Sequence, residues 1–152
     1  MNAQPGAACV TVLQWSTETE HPTRLARLML RPELLRLDLD DDLVDNVLLA
    51  ASELVANATE HAAGPYALRL VSNGTEHVLE CDDGSREFPP SALWPPGDQP
   101  GRTGLADWVT GPMGERGRGL SLLSCLFSGC LSARRTALGK TVFVAFGCGS
   151  PR

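Results

Sequence analysis

Between Asp41 and Ala62 the chain runs without a proline or glycine, and its Leu, Val and Ala residues recur at helical spacing. That pattern predicts one long helix. Leu43, Val47, Ala50 or Ala51, Leu54 and Ala58 then share an apolar stripe. At roughly 100° per residue, Glu53, Asn57 and His61 form a second row beside the stripe, each about 40° round from the last. Taken alone, polar residues at this spacing are the solvated side of an amphipathic helix. With a hollow beside the helix, the same row is a polar wall.

The flanking segments follow from the same kind of pattern. Cys9 to Trp15 mixes β-branched and aromatic residues and predicts a strand. His21-Pro22-Thr23 opens a helix, because proline suits a first turn. Leu25, Leu28, Met29 and Leu34 are its expected apolar stripe, with Arg24, Arg27 and Arg31 facing water. Pro32 predicts a kink or break, followed by a short turn through Leu35 and Leu37. The acidic cluster from Asp38 to Asp42 sits where the exposed N–H groups and dipole of the long helix favour negative charge.

Ala62-Ala63-Gly64-Pro65 stops the long helix. Tyr66 to Ser72 and Thr75 to Asp82 then read as strands joined by a tight Asn73-Gly74 hairpin. If Leu79 and Cys81 face the core, Asp83 does too, and a buried acid needs a partner. The alternative is that Asp83 opens a surface Asp-Gly turn. From Phe88 to Gly117 prolines and glycines dominate, as in a lid, a binding loop or disorder, with a helical turn expected at Leu105 to Val109. Ser121 to Phe127 is an apolar helical run, and Cys130 to Thr136 and Lys140 to Phe146 are the final strands.

Length and composition narrow the class. A chain of 152 residues, 43% hydrophobic and 20% charged, suits one globular domain at residues 9–147, with tails at 1–8 and 148–152. A formal net charge of −5 argues against nonspecific nucleic-acid binding. No window has the apolar length of a membrane span, and the N-terminus lacks the features of a secretory signal. Cys9, Cys81, Cys125, Cys130 and Cys148 are odd in number and contain no CxxC pair, which points to free thiols in a reducing cytoplasm. Gly139-Lys140-Thr141 is not a P-loop: Arg134 stands where the earlier glycine is needed, and a strand follows instead of a helix. Gly139 serves a hairpin, with Lys140 and Thr141 near a ligand as a second option.

Glu115-Arg116-Gly117-Arg118-Gly119-Leu120 precedes the apolar run at Ser121. Glycines at a helix mouth let backbone N–H groups approach an anion, and the arginines add donors suited to phosphate. A flexible basic linker is the alternative.

Together these segments resemble the histidine-kinase-like (GHKL, Bergerat) ATP-binding family, and most closely its small anti-sigma-factor serine/threonine kinases of actinobacterial type. The run from Glu53 through Asn57 to Ala62 looks like the N box, and Asp83-Gly84-Ser85 like the first glycine box. Gly117-Arg118-Gly119-Leu120 looks like the second box, and Gly139-Lys140-Thr141 like the closing strand motif. The chain departs from the wider pattern at Ser85 and Glu87, where that pattern has glycines, at Glu115, and at Pro32.

The resemblance implies an α+β two-layer sandwich, a mixed, mostly antiparallel sheet of about five strands with two or three helices on one face. It implies ATP with Mg²⁺, Asn57 ligating the ion, Glu53 as general base and Asp83 accepting from the adenine amino group. Ser85, Arg116, Gly117, Arg118, Gly119, Leu120 and Thr141 complete the implied ATP site, with residues 83–117 as the lid and glycine-box region. His61 is left a structural or rim role. The implied partners are a sigma factor and an anti-sigma-factor antagonist, without nucleic acid or membrane and with homodimerisation open. A catalytically inactive nucleotide-binding adaptor is the alternative.

Overall fold

The computed structural model describes residues 8–74, 76–87, 127 and 130–147. Its elements are β1 (Ala8–Trp15), α1 (Pro22–Leu35), α2 (Asp41–His61), β2 (Tyr66–Ser72), β3 (Glu76–Asp83), β4 (Leu131–Arg135) and β5 (Lys140–Gly147). The strands form one sheet in the order β1-β2-β3-β5-β4. Every pairing among them is antiparallel, so the parallel component of the expected mixed sheet is absent among the described residues. The two helices complete an α+β sandwich: α2 packs on β2 and β3, and α1 on α2 and β1. No helix among the described residues is long and apolar enough to cross a membrane.

The long helix forms as its pattern dictates. Asp40, extended at φ −69° and ψ 157°, caps it by accepting the Leu43 N–H at 2.8 Å, and Asp41 and Asp42 lie in its first turn. The buried stripe is broader than expected, taking in Val44, Leu48 and Val55 besides Val47, Ala50, Ala51, Leu54 and Ala58. Leu68, Leu70, Leu79, Cys81, Val142 and Val144 from the sheet join it in one hydrophobic core. The Asn73-Gly74 hairpin closes as expected: Gly74 takes φ 99°, and the Asn73 side chain accepts the Glu76 N–H at 2.8 Å.

The first helix corrects two expectations. Pro32 neither breaks nor ends it, and α1 runs through to Leu35. Pro32 is exposed, so water can satisfy the Leu28 carbonyl left without a donor, while Leu30 and Leu34 are fully buried and hold the turn. Its core face is Ala26, Leu30 and Leu34, whereas Leu28 and Met29, expected inside, are 62% and 53% exposed. The short turn beyond Pro32 is simply the helix end: Leu37 donates to the Leu34 carbonyl at 3.0 Å and packs on the core, and Leu35 faces out.

Candidate functional site

The second half of α2 presents Glu53, Asn57 and His61 in succession. Glu53 and Asn57 are partly buried and His61 lies at the exposed end of the helix, with its Nε2 3.9 Å from Glu60 Oε2. Burial lifts the Glu53 carboxyl above the usual glutamate range, and the negative charge of Glu60 adds to the effect. Glu53 lines a cavity of about 510 Å³ between α1 and α2, whose other wall carries Arg24, Arg27 and Arg31. Asn57 lies outside that lining.

Asp83 closes β3 on the buried face, as the alternation with Leu79 and Cys81 predicts, and is 4% exposed. The partner that burial demands is Lys140, 5% exposed, whose Nζ lies 3.0 Å from both carboxylate oxygens. The antiparallel register sets Asp83 directly opposite Lys140. Asp83 also accepts the Ser85 N–H at 2.8 Å, so the alternative of an Asp-Gly turn holds as well. Burial is the largest influence on this carboxyl and raises its pKa, while Lys140 and the Ser85 N–H pull it down. Oδ1 takes both Ser85 and Lys140 and Oδ2 takes Lys140 alone, which leaves lone-pair capacity on Oδ2 for a further donor.

Backbone contacts fix Asp83 beside the C-terminal end of α2. The Gly84 N–H donates to the Ala63 carbonyl at 2.6 Å. A Cβ on Gly84 would lie 2.2 Å from the Gly64 oxygen, and one on Gly139 would lie 2.3 Å from the Asp83 oxygen. Only glycine lets the α2–β2 connection, the end of β3 and the β4–β5 turn stack this closely. Gly139 thus serves packing as well as the hairpin, where it exchanges hydrogen bonds with Thr136.

Strand alternation sends the next residues to the other face. Thr141 donates to Asp82 Oδ1 at 2.5 Å, and Asp82 is ion-paired with Arg69. Arg69 and Arg134 reach the two oxygens of Glu80 at 2.8 and 2.9 Å. The structure therefore brings Asp83, Ser85 and Lys140 together and places Thr141 with Asp82. The sequence offered Lys140 only alongside Thr141, as lying near a ligand, and its pairing with Asp83 was missed. The signal that could have found it is the need of a buried acid for a partner, joined to a cation at the start of a β-prone strand.

Arg116, Gly117, Arg118, Gly119, Leu120, the lid from residue 88 and the helical run at Ser121 lie outside the described residues, Phe127 excepted. Among the described residues no group of three or more His, Cys, Asp and Glu side chains could cage a metal. A single amide oxygen such as that of Asn57 nevertheless fits Mg²⁺, which keeps waters and takes most of its ligands from nucleotide phosphates. The family model described as the histidine kinase-like ATPase domain matches residues 16–146. No curated protein matches the chain significantly.

Proposed function

The chain belongs to the histidine kinase-like ATPase domain family, and from that premise we propose that it is a cytoplasmic regulatory ATP-binding protein with serine/threonine kinase activity. Membership of the family implies ATP binding, commonly with Mg²⁺. In this reading the protein is an anti-sigma factor that phosphorylates an anti-sigma-factor antagonist. The observation that carries the kinase step is Glu53: a partly buried carboxylate with a raised pKa on a cavity wall, one helical turn before an amide.

The acceptor hydroxyl gives its proton to Glu53 as its oxygen bonds to the γ-phosphorus. The bond from that phosphorus to the bridging oxygen breaks, and ADP leaves. Burial keeps Glu53 basic enough for this task. Asn57 would hold Mg²⁺, which supplies charge neutralisation on the phosphates when bound. The free lone pair of Asp83 Oδ2 would accept from the adenine amino group, and Lys140 keeps that buried carboxylate ionised. Arg116, Gly117, Arg118, Gly119 and Leu120 would wrap the phosphates.

The adaptor reading draws on one observation, that Lys140 already engages both oxygens of Asp83. The Glu53→Gln variant separates the two readings. Labelling of a serine-bearing antagonist should fall about 10²–10⁴-fold, with Mg-ATP affinity by calorimetry unchanged. Wild-type protein that binds Mg-ATP and labels no antagonist would favour the adaptor.

A further inference from the structure

At roughly 100° per residue, Arg24, Arg27 and Arg31 fall within an arc of about 60° on α1. They form one wall of the 510 Å³ cavity that Ser52 and Glu53 line from α2. Among the described residues none of the three arginines is in an ion pair, although the whole chain carries more acidic than basic side chains. Three guanidinium groups on one wall repel one another, and an incoming row of carboxylates would relieve that repulsion through bidentate bonds. The adjoining arc of α1 is apolar and unburied: Leu28, itself on the cavity rim, and Leu35 are each 62% exposed. The surface thus offers a cationic row beside an apolar row, both along one helix.

We propose that the groove between α1 and α2 is the docking surface for the protein substrate, and that it takes an acidic, amphipathic segment. The carboxylates of that segment pair with Arg24, Arg27 and Arg31, its apolar side chains cover Leu28 and Leu35, and its Ser or Thr hydroxyl comes to rest beside Glu53. This rests on the kinase reading above, because it makes the wall facing the arginines the place of the proton acceptor. The occupant is a polypeptide because the apolar row runs alongside the charges, where an isolated phosphate would leave it bare.

The test uses the full chain and a fluorescein-labelled amphipathic peptide of Glu, Leu and Ala with a single Ser, against its counterpart with Lys in place of Glu. Fluorescence anisotropy should show salt-sensitive binding of the acidic peptide, weakened more than about tenfold in the Arg24→Glu, Arg27→Glu, Arg31→Glu triple variant. That variant should gain affinity for the Lys peptide. Arg27→Gln alone, with circular dichroism of each protein, keeps the comparison valid if the triple variant misfolds.

Equal binding of both peptides by the wild type, or acidic-peptide binding untouched by charge reversal, overturns the groove. So does preference for phosphatidylserine vesicles over the peptide. A parallel titration with a fluorescent ATP analogue separates the two readings. Nucleotide binding without peptide binding sinks the groove alone. Peptide binding without nucleotide binding sinks the kinase reading and leaves an acidic-segment site.

Discussion

Replacing Lys140 by Met keeps the length and apolar stem of the side chain and removes its charge from a pair that is almost wholly out of water. At 3.0 Å, two unit charges attract by about 5–6 kcal/mol at an effective dielectric of about 20. Desolvation of both ions cancels much of that gain, so the intact pair contributes little net stability. Losing one member is different, because Asp83 then stays buried with only the Ser85 N–H to serve it, at a cost of about 3–5 kcal/mol. Against a total stability of about 5–15 kcal/mol, that is a large fraction, equivalent to a fall in Tm of roughly 6–20 °C for a domain of this size. Asp83→Asn should also destabilise, by stranding the buried ammonium, and the double variant should lose less than the sum of the two, with coupling of about 1–3 kcal/mol. Urea denaturation of the four proteins at neutral pH measures all of these. The deficit of Lys140→Met should also narrow as pH falls. Without Lys140, the folded-state pKa of Asp83 rises further above its unfolded value, so the folded variant binds a proton that the unfolded chain does not, and acid favours it. Single losses that add to within about 0.5 kcal/mol, or a deficit that widens in acid, would refute the reasoning.

Three further outcomes can be read from the same protein. Gly84→Ala and Gly139→Ala each drive a methyl into a backbone oxygen, and each should cost at least about 1–3 kcal/mol in denaturant midpoints. Thr59→Val removes the acceptor that holds the Trp15 indole N–H at 2.9 Å, leaving a buried donor unmet and costing about 1–3 kcal/mol. His77 is buried, bonded to Ser72 Oγ at 2.7 Å and tilted against Phe146, and burial lowers its pKa, with Glu76 opposing weakly. Between that lowered value and about 6.5, the unfolded chain binds the proton and the folded one does not. Stability should therefore fall as pH drops through this window, and a Tm series should show the fall flattened in His77→Phe.

What could be read along the chain was what neighbours in sequence decide. The start of α2 at the Asp38–Asp42 cluster, the stripe of α2 and the Asn73-Gly74 turn are settled within a few residues, and each formed where the pattern placed it, with Asp40 taking the cap. Asp83 was legible as a need only. Its partner is 57 residues away and becomes its neighbour through the register of β3 on β5. The first helix was harder, because it carries two apolar arcs. Counting apolar residues cannot choose between Ala26-Leu30-Leu34 and the arc of Leu28 and Leu35. The structure buries Ala26, Leu30 and Leu34 completely and leaves Leu28 and Leu35 outside. That rotation also decides what Glu53 faces. Turning α1 half a revolution to bury Leu28 and Leu35 would carry Arg24, Arg27 and Arg31 to the flank away from α2. The cavity would then lose its cationic wall. The same packing choice that defeats the sequence pattern is the one that sets three guanidinium groups opposite a partly buried glutamate, so the docking groove is a property of helix rotation and no local motif could have announced it.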